Sequence, residues 1–305
     1  MPSAGTLLCL ASAAAFGAMG IFGKLAYDEG ASVGTLLATR FLLAAALFWL
    51  FVVCSGGARN VRALSRRDIG LGLALGAVGY SAQAGGYFAA LQRLDASLLS
   101  LLIYTFPTIV TVAAIALGRE RANWRTALAL ALASAGLVLV LAGAAAGALD
   151  PIGAGLGLAA AIVYSGYILT SEGIARRVGP LALSTLVCTG AATTLALGGI
   201  AVGDLDPGSV SPAGFGWLAG IAVVSTVGAV GLFFAGLERV GPSAASILST
   251  LEPVVTVGLA FAVFGESLGP VQLAGGALVL VAVLAVRVPG RLALNAAELP
   301  KGQNA

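Results

Sequence analysis

The sequence predicts an all-α membrane protein of ten transmembrane helices, arranged as two inverted five-helix repeats. Three observations lead there. Of 305 residues, 59% are hydrophobic and 10% charged, with mean hydropathy +1.02. A soluble domain carries about a quarter charged residues to cover its surface, so this surface faces something other than water. Polar breaks also divide the chain into ten apolar runs, each near the roughly 20 residues that cross the hydrocarbon core as a helix. Finally, the second half of the chain repeats the first.

The runs lie near 5–27, 33–54, 69–92, 96–117 and 126–145, then 153–173, 181–202, 214–236, 243–264 and 271–288. They are too long for barrel strands and lack apolar/polar alternation, which excludes a transmembrane β-barrel. The first run is expected to be retained: Ala11-Ser12-Ala13 imitates a cleavage site, but no Lys or Arg precedes the run, and it continues to Tyr27.

Orientation follows from Lys and Arg in the short loops. With the N-terminus in the cytoplasm, Arg59, Arg62, Arg66, Arg67, Arg119, Arg121, Arg125, Arg176, Arg177, Arg239, Arg287, Arg291 and Lys301 fall inside, and Arg93 alone falls outside. The outer loops then carry Asp28, Glu29, Asp95, Asp150, Asp204, Asp206 and Glu266. The expectation is a multi-pass protein of a bacterial-type inner membrane with both termini cytoplasmic.

Leu91–Pro107 aligns without gaps on Leu237–Pro253 at an offset of 146, with Ser97 on Ser243, Ser100 on Ser246 and Glu120 on Glu266. A weaker match at an offset of 148 lays the first run on the sixth, pairing Phe16 with Tyr164 and Lys24 with Glu172. Five crossings per copy start the second copy on the opposite side. The charges agree, because the basic residues move from the loops after runs 2 and 4 to those after runs 6 and 8. The organisation expected is a first repeat over 1–148, a second over 149–290 and a cytoplasmic polar tail over 291–305. Inverted repeats are a recurrent plan of secondary transporters, which bind substrate near the midplane between the copies.

The stretch Leu251-Glu252-Pro253-Val254-Val255, Phe264-Gly265-Glu266-Ser267-Leu268 and Gln272-Leu273-Ala274-Gly275 resembles the EamA-type repeat of the drug/metabolite transporter superfamily. The first copy carries Phe106-Pro107 and Leu117-Gly118-Arg119-Glu120, and Lys24 and Arg40-Phe41 also suit that repeat. The similarity covers roughly 5–288. It implies ten helices, a cavity lined mainly by runs 1, 3, 4, 6, 8 and 9, and export or exchange of small metabolites. Amino-acid efflux is common among its bacterial members, and other relatives carry nucleotide sugars or sugar phosphates. Phe106 departs from the pattern where the second copy has Glu252, so a symmetric pair of acidic sites is not expected.

Tyrosine in membranes normally sits at the interfaces. Here Tyr80, Tyr87, Tyr104, Tyr164 and Tyr167 lie inside runs, and only Tyr27 sits at an end. A buried hydroxyl needs a partner, so as a set they are expected to face the bundle interior or a wet cavity. Tyr80, Gln83 and Tyr87 share one helical face, as do Tyr164, Tyr167 and Ser171. Ser97, Ser100, Tyr104, Thr108 and Thr111 form a third stripe, answered by Ser243, Ser246 and Thr250. For a single Ser or Thr, close helix packing is the simpler role.

Glu252 is the one acidic residue near the middle of a run. Ionising it there is costly, so it is protonated, paired or facing water. It could couple protons to substrate movement, or merely support the helix where Pro253 removes a backbone hydrogen bond. Lys24 and Arg40 lie near the outer surface, where long cations commonly snorkel to water. Holding a substrate carboxylate is the other role open to them. Pro107 and Pro253 occupy equivalent places and suit hinges or plain kinks.

Other chemistries find little support. Without histidine, His relays, His metal sites and Ser/His dyads are excluded. Cys9, Cys54 and Cys188 are far apart in apolar runs, and no P-loop is present. No metal, cofactor, nucleic acid or obligate protein partner is expected, only a small-molecule substrate and the bilayer. The leading expectation is an alternating-access exporter of amino acids, aromatic ones included, from a cavity rich in Tyr and Ser. Export of lipophilic cations or drugs is the alternative. A nucleotide-sugar or phosphate-ester carrier would show more mid-membrane Lys and Arg. An intramembrane enzyme would need paired aspartates, a His or a metal, and saturable counterflow would separate a carrier from a channel.

Overall fold

Apolar length, capping residues and first-turn prolines fix ten helical passes. The computed structural model describes residues 4–57, 61–118, 124–145, 149–233, 235–236, 239, 248–249 and 251–287. Helix α1 runs Ala4–Gly17 and Met19–Asp28 about a break at Ala18, and α2 runs Val33–Cys54. Helix α3 comprises Arg66–Ala74, one π turn at Leu75–Tyr80, and Ser81–Leu91. Helix α4 is split into Ala96–Ile103 and Phe106–Ala116, and α5 is Trp124–Ala145. The second copy follows as α6 (Pro151–Val178), α7 (Pro180–Val202) and α8, which is Pro212–Ala222 with a π turn at Val223–Gly228. Last come α9 (Leu251–Phe264) and α10 (Pro270–Arg287).

The ends are specified locally. Ser32, Ser65, Asp150 and Ser211 each accept the backbone N–H three residues on, satisfying donors that the first turn cannot. Pro opens α6, α7 and α8, where no backbone donor is missed. Gly203 closes α7 at φ 71°, a left-handed cap that costs glycine nothing. Among the described residues, five helical segments are apolar and long enough to cross a bilayer unaided: Ala4–Asp28, Val33–Cys54, Pro151–Ser171, Pro180–Val202 and Pro212–Phe233. Leu42, Leu50, Phe51, Leu197 and Ile200 are exposed on them, as lipid-facing residues are.

The packing maps onto itself when each helix number is advanced by five. Helix α2 packs on α7, α5 on α10 and α4 on α9; α1 meets α8 and α9 as α6 meets α3 and α4; α8 lies on α2 as α3 lies on α7. The copies are inverted, since α1 ends at Asp28 on the face where α6 begins at Asp150. Close contact is made by glycine. A Cβ at Gly76 would sit 2.0 Å from the Val187 carbonyl oxygen, and one at Gly190 would sit 2.1 Å from that of Leu73, so α3 and α7 touch backbone to backbone.

The two π turns, in α3 and α8, are 148 residues apart. Each frees a carbonyl that a hydroxyl takes up: Ser81 donates to Gly76 at 2.9 Å and Thr226 to Ile221 at 3.0 Å.

Candidate functional site

At mid-depth, side chains from α2, α3, α4 and α6 meet in one row of rings. Phe41 lies edge-on to Tyr80 at 5.2 Å, Tyr80 stacks on Tyr167 at 5.4 Å, and Tyr167 stacks on Tyr164 at 6.2 Å. Tyr164 meets Phe106 edge-on at 4.7 Å, and Phe106 meets Tyr104 at 5.7 Å. The Tyr104 hydroxyl ends the row, donating to the Ser249 carbonyl with Glu252 Oε2 3.5 Å away. Tyr80, Tyr164, Tyr167, Phe106 and Glu252 are only half-buried, although they point at one another from several helices.

The break in α4 brings this about. After Ile103 the chain makes a turn at Tyr104–Thr105, and the helix restarts at Phe106 with Pro107 in its first turn. Pro107 therefore restarts a helix rather than kinking a continuous one. Pro253 is buried in the first turn of α9. Opposite each restart lies a small residue of the other copy. Thr256 on α9 donates to Gly17 of α1 at 3.0 Å, and Ser165 on α6 donates to Phe106 of α4 at 3.2 Å. The repeat relates Gly17 to Ser165 and Glu252 to Phe106, so an acidic side chain and an apolar ring occupy equivalent positions about the same axis.

Arg40 does not snorkel to the surface: it is 2% exposed. Its Nε donates to Thr226 Oγ1 at 3.0 Å, and its guanidinium lies 4.8 Å from the Phe41 ring centre and 5.5 Å from that of Phe88. The ring faces offset part of the desolvation cost. Among the described residues no carboxylate lies within 4.0 Å of it. Tyr87 is buried edge-on to Phe88 at 5.1 Å, with its hydroxyl against Gly20 of α1. Gln83 is half-buried one turn earlier. Ser246, with Ser243 and Thr250, lies outside the described residues, and so does the 291–305 tail.

Lys24 stands apart from this cluster, on the face of the acidic loops. Its Nζ is 2.8 Å from Glu266 Oε1 and 3.6 Å from Asp95. Glu266 also accepts the backbone N–H groups of Ala96 and Ser97 at 3.2 and 3.0 Å and the Ser97 hydroxyl at 2.9 Å, capping α4 from the loop before α10. Burial alone would raise this carboxyl's pKa, but Lys24 and Ser97 outweigh it and hold it below the usual glutamate range. The pair floors a cleft of about 960 Å³ that also takes in Tyr27, Asp28, Arg93, Asp150 and Phe264. Tyr27 is more than an interfacial belt residue, since its hydroxyl donates to Phe88 at 2.8 Å. On the opposite face Arg177 pairs with Asp68 at 3.0 Å.

Sequence reasoning missed the two π turns, the Phe41 and Phe88 faces around Arg40, and Glu266 as a cap. Only the adjacency of Arg40 and Phe41 offered a local sign.

Comparison with known proteins agrees with the fold. A transporter of Bacillus subtilis (strain 168), described as "Uncharacterized transporter YcbK", is 28% identical over 288 residues, 90% of this chain and 89% of that one. A solved crystal structure shares the fold with a TM-score of 0.65 at 20% identity, covering 96% of this chain and 99% of its own. The EamA-like transporter family matches twice, over residues 3–142 and 151–288. The chain is thus a multi-pass membrane transporter of the drug/metabolite type, and it belongs to the EamA-like transporter family.

Proposed function

We propose that the protein exports or exchanges small zwitterionic metabolites, amino acids including aromatic ones, by alternating access about the mid-membrane row of tyrosines. The observation that carries this reading is the row itself: half-buried rings and hydroxyls contributed by both copies, with a single carboxylate at one end. Such a lining offers stacking surface and hydrogen bonds with little fixed charge, which suits a compact amphiphile better than a phosphate ester. The distribution of Lys and Arg supports an inner membrane with cytoplasmic termini. The restart at Pro107 would let the two halves of α4 rock separately.

The test is counterflow of labelled amino acids into liposomes holding purified protein, screened over aromatic, aliphatic and charged substrates. Saturable exchange of an aromatic amino acid supports the reading. Exchange of lipophilic cations but of no amino acid would favour the second reading, in which Glu252 and the tyrosine faces accept a cation.

A further inference from the structure

The face of the acidic loops is fastened unevenly. On one side the loops after α1 and α7 are knotted together. Ser211 donates its backbone N–H to the Glu29 carbonyl at 3.0 Å and its hydroxyl to the Glu29 carboxylate, and Ser209 donates to the Gly30 carbonyl at 3.0 Å. The Asp204 carboxylate accepts the Gly34 N–H at 2.7 Å, and the Thr35 hydroxyl accepts that of Asp206 at 2.9 Å. Phe22 of α1 stacks on Trp217 of α8 at 5.9 Å, and the Tyr27 hydroxyl joins α1 to the Phe88 carbonyl of α3. The Met19–Asp28 half of α1 is thereby tied to α2, α3, α7 and α8 through several residues, and most of these bonds engage the backbone.

On the other side stand α4, the end of α9 and the loop before α10. Among the described residues, the ion pairs that α1 makes with them all come from one side chain. Lys24 Nζ lies 2.8 Å from Glu266, 3.6 Å from Asp95 and 5.6 Å from the Phe264 ring centre. The Lys24 side chain is 21% exposed and lines the cleft of about 960 Å³. A lysine ammonium is strongly hydrated and rides on a flexible stem, so water entering from the cleft can take the place of the carboxylates. Deeper in the membrane, α1 and α9 meet backbone to backbone. A Cβ on Gly17 would lie 2.8 Å from the Glu252 carbonyl oxygen, and Thr256 donates to the Gly17 carbonyl. Beneath an exchangeable tie there is thus a close contact that can serve as its fulcrum.

We propose that Lys24 and Glu266 form the gate between the mid-membrane tyrosine row and the cleft on the acidic-loop face. When the pair breaks, the Met19–Asp28 half of α1, carried with the knot, swings from α4 and α9 about the Gly17 contact. The row then opens to the cleft. The inference rests on the alternating-access reading given above and assigns residues to one of its two closures.

The experiment compares two cross-links, with Cys54 changed to Ser and the buried Cys9 and Cys188 left in place. One variant carries Lys24→Cys with Glu266→Cys, the other Glu29→Cys with Ser211→Cys. Each pair is bridged by a short bis-methanethiosulfonate, which a reductant removes. Bridging the first pair should abolish phenylalanine counterflow, and reduction should restore it. Bridging the second should leave counterflow unchanged, because those residues move together. Counterflow that survives the first bridge, or is lost equally under both, overturns the gate. If the unsubstituted protein exchanges no amino acid, the substrate reading falls, and spin-label distances decide the gate alone. Labels on Val202→Cys and Ser267→Cys, both exposed positions, lie on either side of the tie, whereas labels on Asp28→Cys and Val202→Cys lie within the knot. Lys24→Met should add longer distances to the first pair of labels and none to the second. An unchanged first pair, or an equal change in both, overturns it.

Discussion

Glu266, on the loop before α10, holds Lys24 of α1 at 2.8 Å while accepting three hydrogen bonds from the start of α4. One carboxylate, its side chain 7% exposed, thus ties three parts of the acidic-loop face together. Widening that face requires the Lys24 bond or the cap to break. In Lys24→Met, a cysteine placed at the buried Leu94, with Cys54 changed to Ser, should react with an impermeant maleimide about tenfold faster, as expected for losing one charge-assisted bond of roughly 1.4 kcal/mol. Equal rates would remove the pair as a latch.

The same latch should respond to pH with a definite sign. Glu266 is held below the usual glutamate range, so its contribution is complete above that range and is lost as pH falls through the lowered value. Lys24, with Asp95 beside it, is the charged partner that faces it. Relative to the Glu266→Gln variant, which lacks the latch at every pH and shares the same fall in thiolate, Leu94→Cys should label more slowly above the ordinary glutamate range and converge on that rate as pH falls through the lowered value.

Backbone contact between α3 and α7 leaves no room for a methyl group. Gly76→Ala or Gly190→Ala should destabilise the protein by about 1–3 kcal/mol, the usual cost of overpacking. Gly85→Ala, on the same helix with nothing within 4 Å of the added atom, should change stability far less. Thermal unfolding in detergent, followed by tryptophan fluorescence, separates these cases. A loss at Gly85 as large as at the other two would remove close contact as the cause, because alanine is the better helix former there.

Tyr104 links α4 to the start of α9 through the Ser249 carbonyl. Tyr104→Phe keeps the ring on Phe106 and removes the hydroxyl, costing about 0.5–1.5 kcal/mol for one hydrogen bond. Transport should fall severalfold while expression and unfolding temperature change little. Tyr80→Ala removes ring contacts to Phe41 and Tyr167 and should impair transport more than expression. Unimpaired counterflow in both variants would exclude the row from the transport path.

Length, hydropathy and charge made the ten passes and the repeat legible, because the bilayer imposes a length on every helix and sorts Lys and Arg by side. The tyrosine stripes were legible from helical spacing, and Tyr80, Tyr104, Tyr164 and Tyr167 do meet. What escaped notice is non-local or degenerate. Glu266 caps Ser97 from 169 residues away, and no local pattern announces that. Arg40 reads as a snorkelling cation from its distance to the helix end, but its direction is set by Thr226, 186 residues on. The π turns use residues that an α-helix would accept equally well.

Those two π turns bear on the history of the chain. A π turn is an α-helix that has taken in one extra residue, and here the same addition appears at Leu75–Tyr80 and again at Val223–Gly228, at matching places in the two copies. One insertion before the duplication accounts for both, whereas two later ones would have had to choose the same turn independently. The five-helix ancestor therefore already carried the π turn in its third helix.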